Sequence, residues 1–330
     1  MKVNKSGKFV ISLDFELMWG VFDKRSVDSY VNIKETKKAV KQILNLFEKY
    51  QIHATWAYVG MLENSNKKEF QNNIPSNLPS YFNKRFNPYG YEKTIDELTF
   101  SRFHSAIPEL NMIENQDGQE LATHTYSHYY CLETGPSIDS FEKDLERAIS
   151  IALKKGRILK TIVFPRNQYS KTHLEILKKM GIKNFRGTEN GYLHKTRNQK
   201  GLNLIIRILR FIDSFINLTG YNTFQQDRIY HNGLFNVPSS MFLRPMQRIS
   251  FLNKLHLKRI KDSMSEAANN NKVFHLWWHP HNFGKNLKSN LLNLELILLH
   301  FEHLKRTKGM ESLNIQELTS KNEKNFNTWH

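Results

Sequence analysis

The sequence predicts an α/β fold built on a parallel sheet, either closed as a barrel or left open and doubly wound. Two observations carry this expectation. Short β-rich runs alternate with segments of helical periodicity along most of the chain, the pattern of repeated strand–helix units. Polar side chains suited to chemistry recur where the predicted strands end, the place where such folds build their sites. No linker rich in Pro, Gly or Ser and no internal repeat divides the chain. One domain over residues 1–330 is therefore expected, with insertions at about 61–118 and 188–232.

The first strand is Phe9-Val10-Ile11-Ser12-Leu13, ending at Asp14. Residues 36–50 then place Val40, Ile43, Leu44 and Phe47 on one helical face, with lysines opposite. Residues 53–59 form a second strand, closed by Gly60. The pattern dissolves over 61–118, and a long insertion in a compact domain is often functional. A strand at 120–123 runs into His124, and a helix starting near Asp139 stops at Gly156. A buried-type strand at 161–164, a helix at 171–180 and a strand at 182–185 follow. After a loop-rich stretch, 234–238 and 272–278 are strands, with helices around 251–269 and 291–305.

Composition narrows the function classes. At 39% hydrophobic and 12% aromatic residues, the chain can bury a sizeable core and is not a disordered polyelectrolyte. A single cysteine, Cys131, excludes an intrachain disulfide and a cysteine-built zinc site. Any metal must then be held by His, Asp or Glu. The N-terminus shows no apolar signal segment, and no run of 18 or more apolar residues occurs, so a cytoplasmic protein is expected. Lysine and arginine number 48 against 31 acids, a formal charge of +17 that points to an anionic partner.

Three clusters stand at strand ends. Asp14 and Glu16 are two apart, so an extended chain turns both carboxylates to one side. Two close carboxylates need a cation between them or a shared proton; two solvated acids on an exposed strand end are the ordinary alternative. His124 and His128 are four apart, and on a helical turn they would present two imidazoles to one metal ion. With a neighbouring acid they make a three-ligand site with open positions, the catalytic rather than the structural pattern. His279 ends the Trp277-Trp278 strand and is held by Pro280, as suits a positioned proton donor or a packed core histidine.

Taken in order, these residues resemble the polysaccharide deacetylase superfamily (NodB homology, carbohydrate esterase 4). Ser12-Leu13-Asp14-Phe15-Glu16 looks like its first motif, in the variant with one residue between the acids. Ala54-Thr55-Trp56-Ala57-Tyr58-Val59-Gly60 is similar to its second strand, and Glu120 through His128 to its histidine motif. Phe164-Pro165-Arg166-Asn167-Gln168-Tyr169 stands where its arginine motif belongs, and His279-Pro280 where its last histidine belongs. The resemblance implies a distorted (β/α)7 barrel of the NodB-homology type. It also implies a divalent metal, zinc by the commonest usage, on Glu16, His124 and His128. Asp14 would be the general base, His279 the acid that protonates the leaving amine, and Arg166 the cation that orients Asp14. The arginine motif departs from the family pattern, and Arg186 in Phe185-Arg186-Gly187 competes for that role.

The leading function is therefore metal-dependent removal of an N-acetyl or similar acyl group from a sugar in surface-polysaccharide or glycolipid biosynthesis. A nucleotide- or lipid-diphosphate-linked sugar would suit the basic surface, with no nucleic acid as partner. Residues 202–218 carry Leu204, Ile205, Ile208, Leu209, Ile212, Phe215 and Ile216 beside Arg207 and Arg210. A helix packed over the barrel is the ordinary expectation for such a segment; a helix lying on the inner face of an acidic membrane is the alternative. Two other functions fit less of the pattern: a non-catalytic binder of acidic glycan or nucleic acid, and a hydrolase of cyclic ureides or imides.

Overall fold

The computed structural model describes residues 6–24, 27–189, 191–198, 201 and 204–327. Among these, ten strands form one sheet: β1 (Lys8–Phe15), β2 (Ala54–Tyr58), β3 (Gln119–Thr123), β4 (Thr161–Val163), β5 (Asn184–Arg186), β6 (Tyr230–His231), β7 (Leu234–Asn236), β8 (Met241–Phe242), β9 (Val273–Trp278) and β10 (Glu311–Leu313). All the pairings are parallel except that of β6 with β7.

The sheet curls into a distorted barrel because one segment changes partners. Val237 N donates to Phe185 O at 2.9 Å and Ser239 N to Gly187 O at 3.0 Å, continuing the β5 pairing. One residue later, Ser240 N donates to His275 O at 2.8 Å and Leu243 N to Trp277 O at 2.8 Å. β7 and β8 thus act as a single stave between β5 and β9, and β9 pairs with β1. The circuit has the seven-stave logic of the (β/α)7 barrel.

Parity along β1 decides which residues reach the barrel interior. Phe9, Ile11, Leu13 and Phe15 join the large core under the helices, where Phe9 packs on Phe301 at 5.4 Å between ring centroids. Val10, Ser12 and Asp14 take the opposite face. Val10 meets Phe235, Val237, Val273, Ile315 and Leu318, so the C-terminal helix Ile315–Asn327 plugs the barrel floor. Each fully buried aliphatic side chain of this plug contributes about 1.5–3 kcal/mol. Asp14 stands at the other end of the same face.

The helices expected at 36–50, 171–180 and 251–269 are found at Thr36–Tyr50, Lys171–Lys179 and Ser250–Asn269. The stretch between β2 and β3 is helical in short pieces: Lys67–Asn72, Pro88–Glu92, Glu97–Phe103 and Ile107–Glu114. Its aromatic core clamps the turn after β1. Trp19 stacks on Phe70 at 5.7 Å, meets Phe100 at 6.1 Å, and donates from Nε1 to His104 O at 2.9 Å.

The segment after β5 corrects a second expectation. Helix Leu204–Asp213 does not bury its apolar face. Ile206 and Asp213 point inward, while Leu204, Ile205, Ile208, Leu209 and Phe211 are exposed, Leu204 and Ile205 by 69% and 68%. The inward row 206, 210, 213 carries two charged residues, and their hydrogen bonds hold the helix by its polar side. No helix among the described residues is long and apolar enough to cross a membrane.

Candidate metal and catalytic site

Two buried carboxylates open the site. Asp14 is the penultimate residue of β1, and Glu16 begins the turn Leu17–Gly20. Leu17 takes a left-handed φ of 47°, which folds the chain back so that Glu16 stays beside Asp14. A Cβ on Gly20 would run into the Glu16 carboxylate, so the turn needs glycine there.

The histidine pair approaches from the end of β3. His124 and His128 each place Nε2 at 3.1 Å from the same Glu16 Oε1. The expected helical turn is absent: residues 124–130 are a loop, with Thr125 and His128 at φ 64° and 57°. Asp144 holds this loop instead. Its carboxylate accepts from Tyr126 N at 2.7 Å, from Ser127 N at 3.1 Å, and from the Ser127 hydroxyl. Burial, opposed by these bonds, raises the Asp144 pKa to about 6.

The donors suit a divalent cation. Glu16, His124 and His128 offer ligand atoms all within 4.8 Å of one another. His124 Nδ1 lies 2.7 Å from Val163 O, which can only accept, so in the neutral ring Nε2 carries a bare lone pair. That lone pair faces a carboxylate oxygen, a repulsion that a cation between them relieves. Burial also pushes the His128 pKa down, against the pull of Glu16, which favours the neutral ligand form.

Asp14 and His279 complete the rim. His279 Nε2 lies 3.7 Å from Asp14 Oδ2 and 3.5 Å from Glu16 Oε1. Burial raises the Glu16 carboxyl, but His279 and His128 beside it pull it well below its ordinary range. Burial likewise raises Asp14, and the Arg186 guanidinium, with His124 and His279, more than cancels it. Arg186 is fully buried and forked onto the carboxylate, Nη1 to Oδ1 at 2.6 Å and Nη2 to Oδ2 at 2.8 Å. It also donates to Ser12 Oγ at 3.0 Å and Asn167 Oδ1 at 3.2 Å, and lies 4.3 Å from the Trp277 ring.

The structure places Arg166 elsewhere. It does not touch Asp14; its Nη2 meets Asp23 Oδ2 at 2.5 Å, and its guanidinium lies 3.8 Å from the Tyr130 ring centroid. The cause is backbone geometry. Arg166 sits in a turn at φ 54°, which swings its side chain across the cleft mouth. Arg186 lies within β5, where parity with Asn184 aims it into the barrel while Phe185 joins the outer core.

The sequence reading did not single out Gly20, His281 or Asp144. His281 Nδ1 lies 3.9 Å from Glu16 Oε2, and burial, with His279 nearby, lowers its pKa to about 3. For Asp144 a signal existed: it interrupts the buried face formed by Phe141, Leu145 and Ala148 on helix Ile138–Lys154. Asp14, Glu16, His128, His279 and His281 line one cleft of about 930 Å³.

A buried carboxylate–histidine constellation on the C-terminal rim of a distorted barrel defines the class. The chain belongs to the polysaccharide deacetylase family, whose pattern it matches over residues 5–185. Its fold is similar to that of a Mycobacterium smegmatis protein assigned as a polysaccharide deacetylase, with a TM-score of 0.58 at 9% identity over 97% of this chain and 92% of that one. A Pseudomonas aeruginosa PAO1 protein of the same assignment gives 0.54 at 11% identity, over 94% and 90%. Puue allantoinase gives 0.56 at 11% identity, over 94% and 89%. At such identities the likeness is one of fold. No curated protein matches the sequence.

Proposed function

We propose that this protein removes an N-acetyl or similar acyl group from an amino sugar, with Glu16, His124 and His128 holding a divalent metal, zinc by preference. The observation that carries this reading is the convergence of Asp14, Glu16 and His279, whose polar atoms lie within 4.8 Å of one another while Glu16 also meets the histidine pair. One amide carbonyl can reach all of these groups at once. A divalent cation bound there would polarise the carbonyl and make a water more acidic.

The chain's own residues do the rest. Arg186 keeps Asp14 in the carboxylate form, ready to take a proton from the attacking water. His279, on the open side of the pair, delivers a proton from Nε2 to the leaving nitrogen. Asn282 Nδ2, 3.5 Å from His279 Nδ1, helps set the ring's orientation.

The substrate is best read as a sugar carried on a lipid phosphate. The outward apolar face of Leu204–Asp213, with the exposed Arg207 on the same helix, matches an anionic lipid surface in chemistry and charge. The protein would then work as a cytoplasmic, peripheral enzyme at the inner face of a membrane.

The test is acetate release from N-acetylated amino sugars. Chelation should abolish it and zinc should restore it. Asp14→Asn should lower kcat by about 10²–10⁴-fold while stoichiometric metal remains bound. Full activity in that variant would overturn the assignment of the base.

A further inference from the structure

The same cleft holds a second polar cluster, built by the segment after β5 and by helix Ser250–Asn269. Six cations line this part, Lys195, Arg197, Arg207, Arg210, Arg244 and Arg259, against two carboxylates, Glu189 and Asp213. Asp213 is already saturated. It accepts from Leu218 N and Thr219 N at 3.0 Å each, from Thr219 Oγ1 at 2.9 Å, and from Arg259 Nη2 at 3.0 Å.

Among the described residues, none of three arginines has a carboxylate to itself: Arg259 shares Asp213 with His194, and Arg210 and Arg244 form no ion pair. Arg244 donates from Nε to Ser214 Oγ at 2.7 Å and packs 4.9 Å from the Phe211 ring centroid; among the described residues no carboxylate pairs with it. Among the described residues, Arg210 donates to the Leu193 and Lys195 carbonyls, at 2.8 and 3.3 Å. Arg259 is 5% exposed, and its Nε and Nη1 are buried with no hydrogen-bond partner among the described residues. Burial lowers the pKa of all three. An unpaired buried donor is unfavourable, and Arg259 lies in the wall of the cleft, where an acceptor from outside would relieve it.

We propose that Arg244 and Arg259, backed by Arg210, form a binding site for a phosphate or diphosphate group on the substrate. The inference rests on the reading of this cleft as a sugar deacylase centre and names how its substrate is gripped. Guanidinium forks match phosphate oxygens two at a time, which a neutral glycan hydroxyl cannot exploit. With Glu16 and His128 of the metal triad lining the other part of the cleft, the phosphate end and the N-acyl end of one sugar would be held together.

The test is calorimetric titration of the metal-loaded protein with inorganic pyrophosphate at fixed ionic strength. The wild type should bind one equivalent. Arg244→Gln should weaken binding about tenfold or more, and Arg244→Lys by less. Lys258→Gln, which removes one exposed charge from the helix that carries Arg259, should change affinity less than about twofold. Arg259→Gln should also weaken binding; since it strips Asp213 of a buried partner, near-UV circular dichroism must accompany it, and Arg244→Gln decides the matter if it unfolds.

Absent binding, binding unchanged in Arg244→Gln, or equal loss in Lys258→Gln would overturn the site. Competition identifies the carrier. Displacement of pyrophosphate by uridine diphosphate indicates a soluble carrier, and displacement by phosphatidylcholine vesicles containing phosphatidate indicates a lipid. Displacement by neither overturns the site. The titration needs no turnover, so the two readings separate. Pyrophosphate binding at these arginines without acetate release from any N-acetyl sugar would sink only the deacylase; acetate release without pyrophosphate binding would sink only the phosphate site.

Discussion

At the scale of single residues, the base and its cation are the most informative pair. Asp14 was legible as a strand-end acid, because a charged residue closing a run of Val, Ile and Leu rarely lies there for stability alone. Its partner was not. Arg166 follows a short apolar strand and Arg186 ends one, and only the φ of 54° at Arg166 and the strand parity of Arg186 separate them. Their variants should differ accordingly. Arg186 holds the Asp14 pKa down, so Arg186→Lys, which loses the fork, lets it rise. A base must be deprotonated to act, and the acid limb of kcat/KM should therefore move to higher pH in Arg186→Lys. Arg166→Gln should leave that limb in place. An acid limb that moves in Arg166→Gln and not in Arg186→Lys would reverse the assignment.

At the scale of elements, periodicity located helices well and their environments poorly. The helix Leu204–Asp213 has the strongly segregated faces of a packed amphipathic helix, yet it turns the polar side inward. Segregation shows that two faces exist and leaves open which medium each one meets. If the outward face meets lipid, Ile205→Glu together with Ile208→Glu should abolish co-sedimentation with vesicles rich in phosphatidylglycerol. Acetate release from a water-soluble substrate should survive in that variant. Retained sedimentation would show that the charge alone draws the protein to the vesicles. The loop 124–130 teaches the same lesson. A spacing of four suggested a helical turn for His124 and His128, and an Asp144 cradle with two left-handed residues brings the imidazoles together by another route.

At the scale of the whole molecule, the interior holds histidines that bear on acid stability. Burial lowers the pKa of His104 and His256 to about 4 and of His275 to about 3. Unfolding returns each to about 6.5, so the unfolded chain binds more protons between these values. Their contribution is complete above about pH 6.5 and is lost as pH falls toward 4, by up to about 1.4 kcal/mol per pH unit for each ring. Urea denaturation at pH 7, 6 and 5 should show a falling stability, offset in part by Asp144, whose raised pKa of about 6 works the other way; a rising profile would mean these rings are not buried neutral. The alternation of strands and helices and the roster of strand-end acids and histidines could be read from one dimension, because hydrophobic period and turn residues are local properties. Barrel closure by the stave 234–243, the floor plug from Ile315 and Leu318, the exchange of Arg166 for Arg186 and the empty arginine donors could not. Each depends on residues far apart in the chain meeting across the barrel, and such meetings follow from backbone dihedrals and packing that no short window of sequence contains.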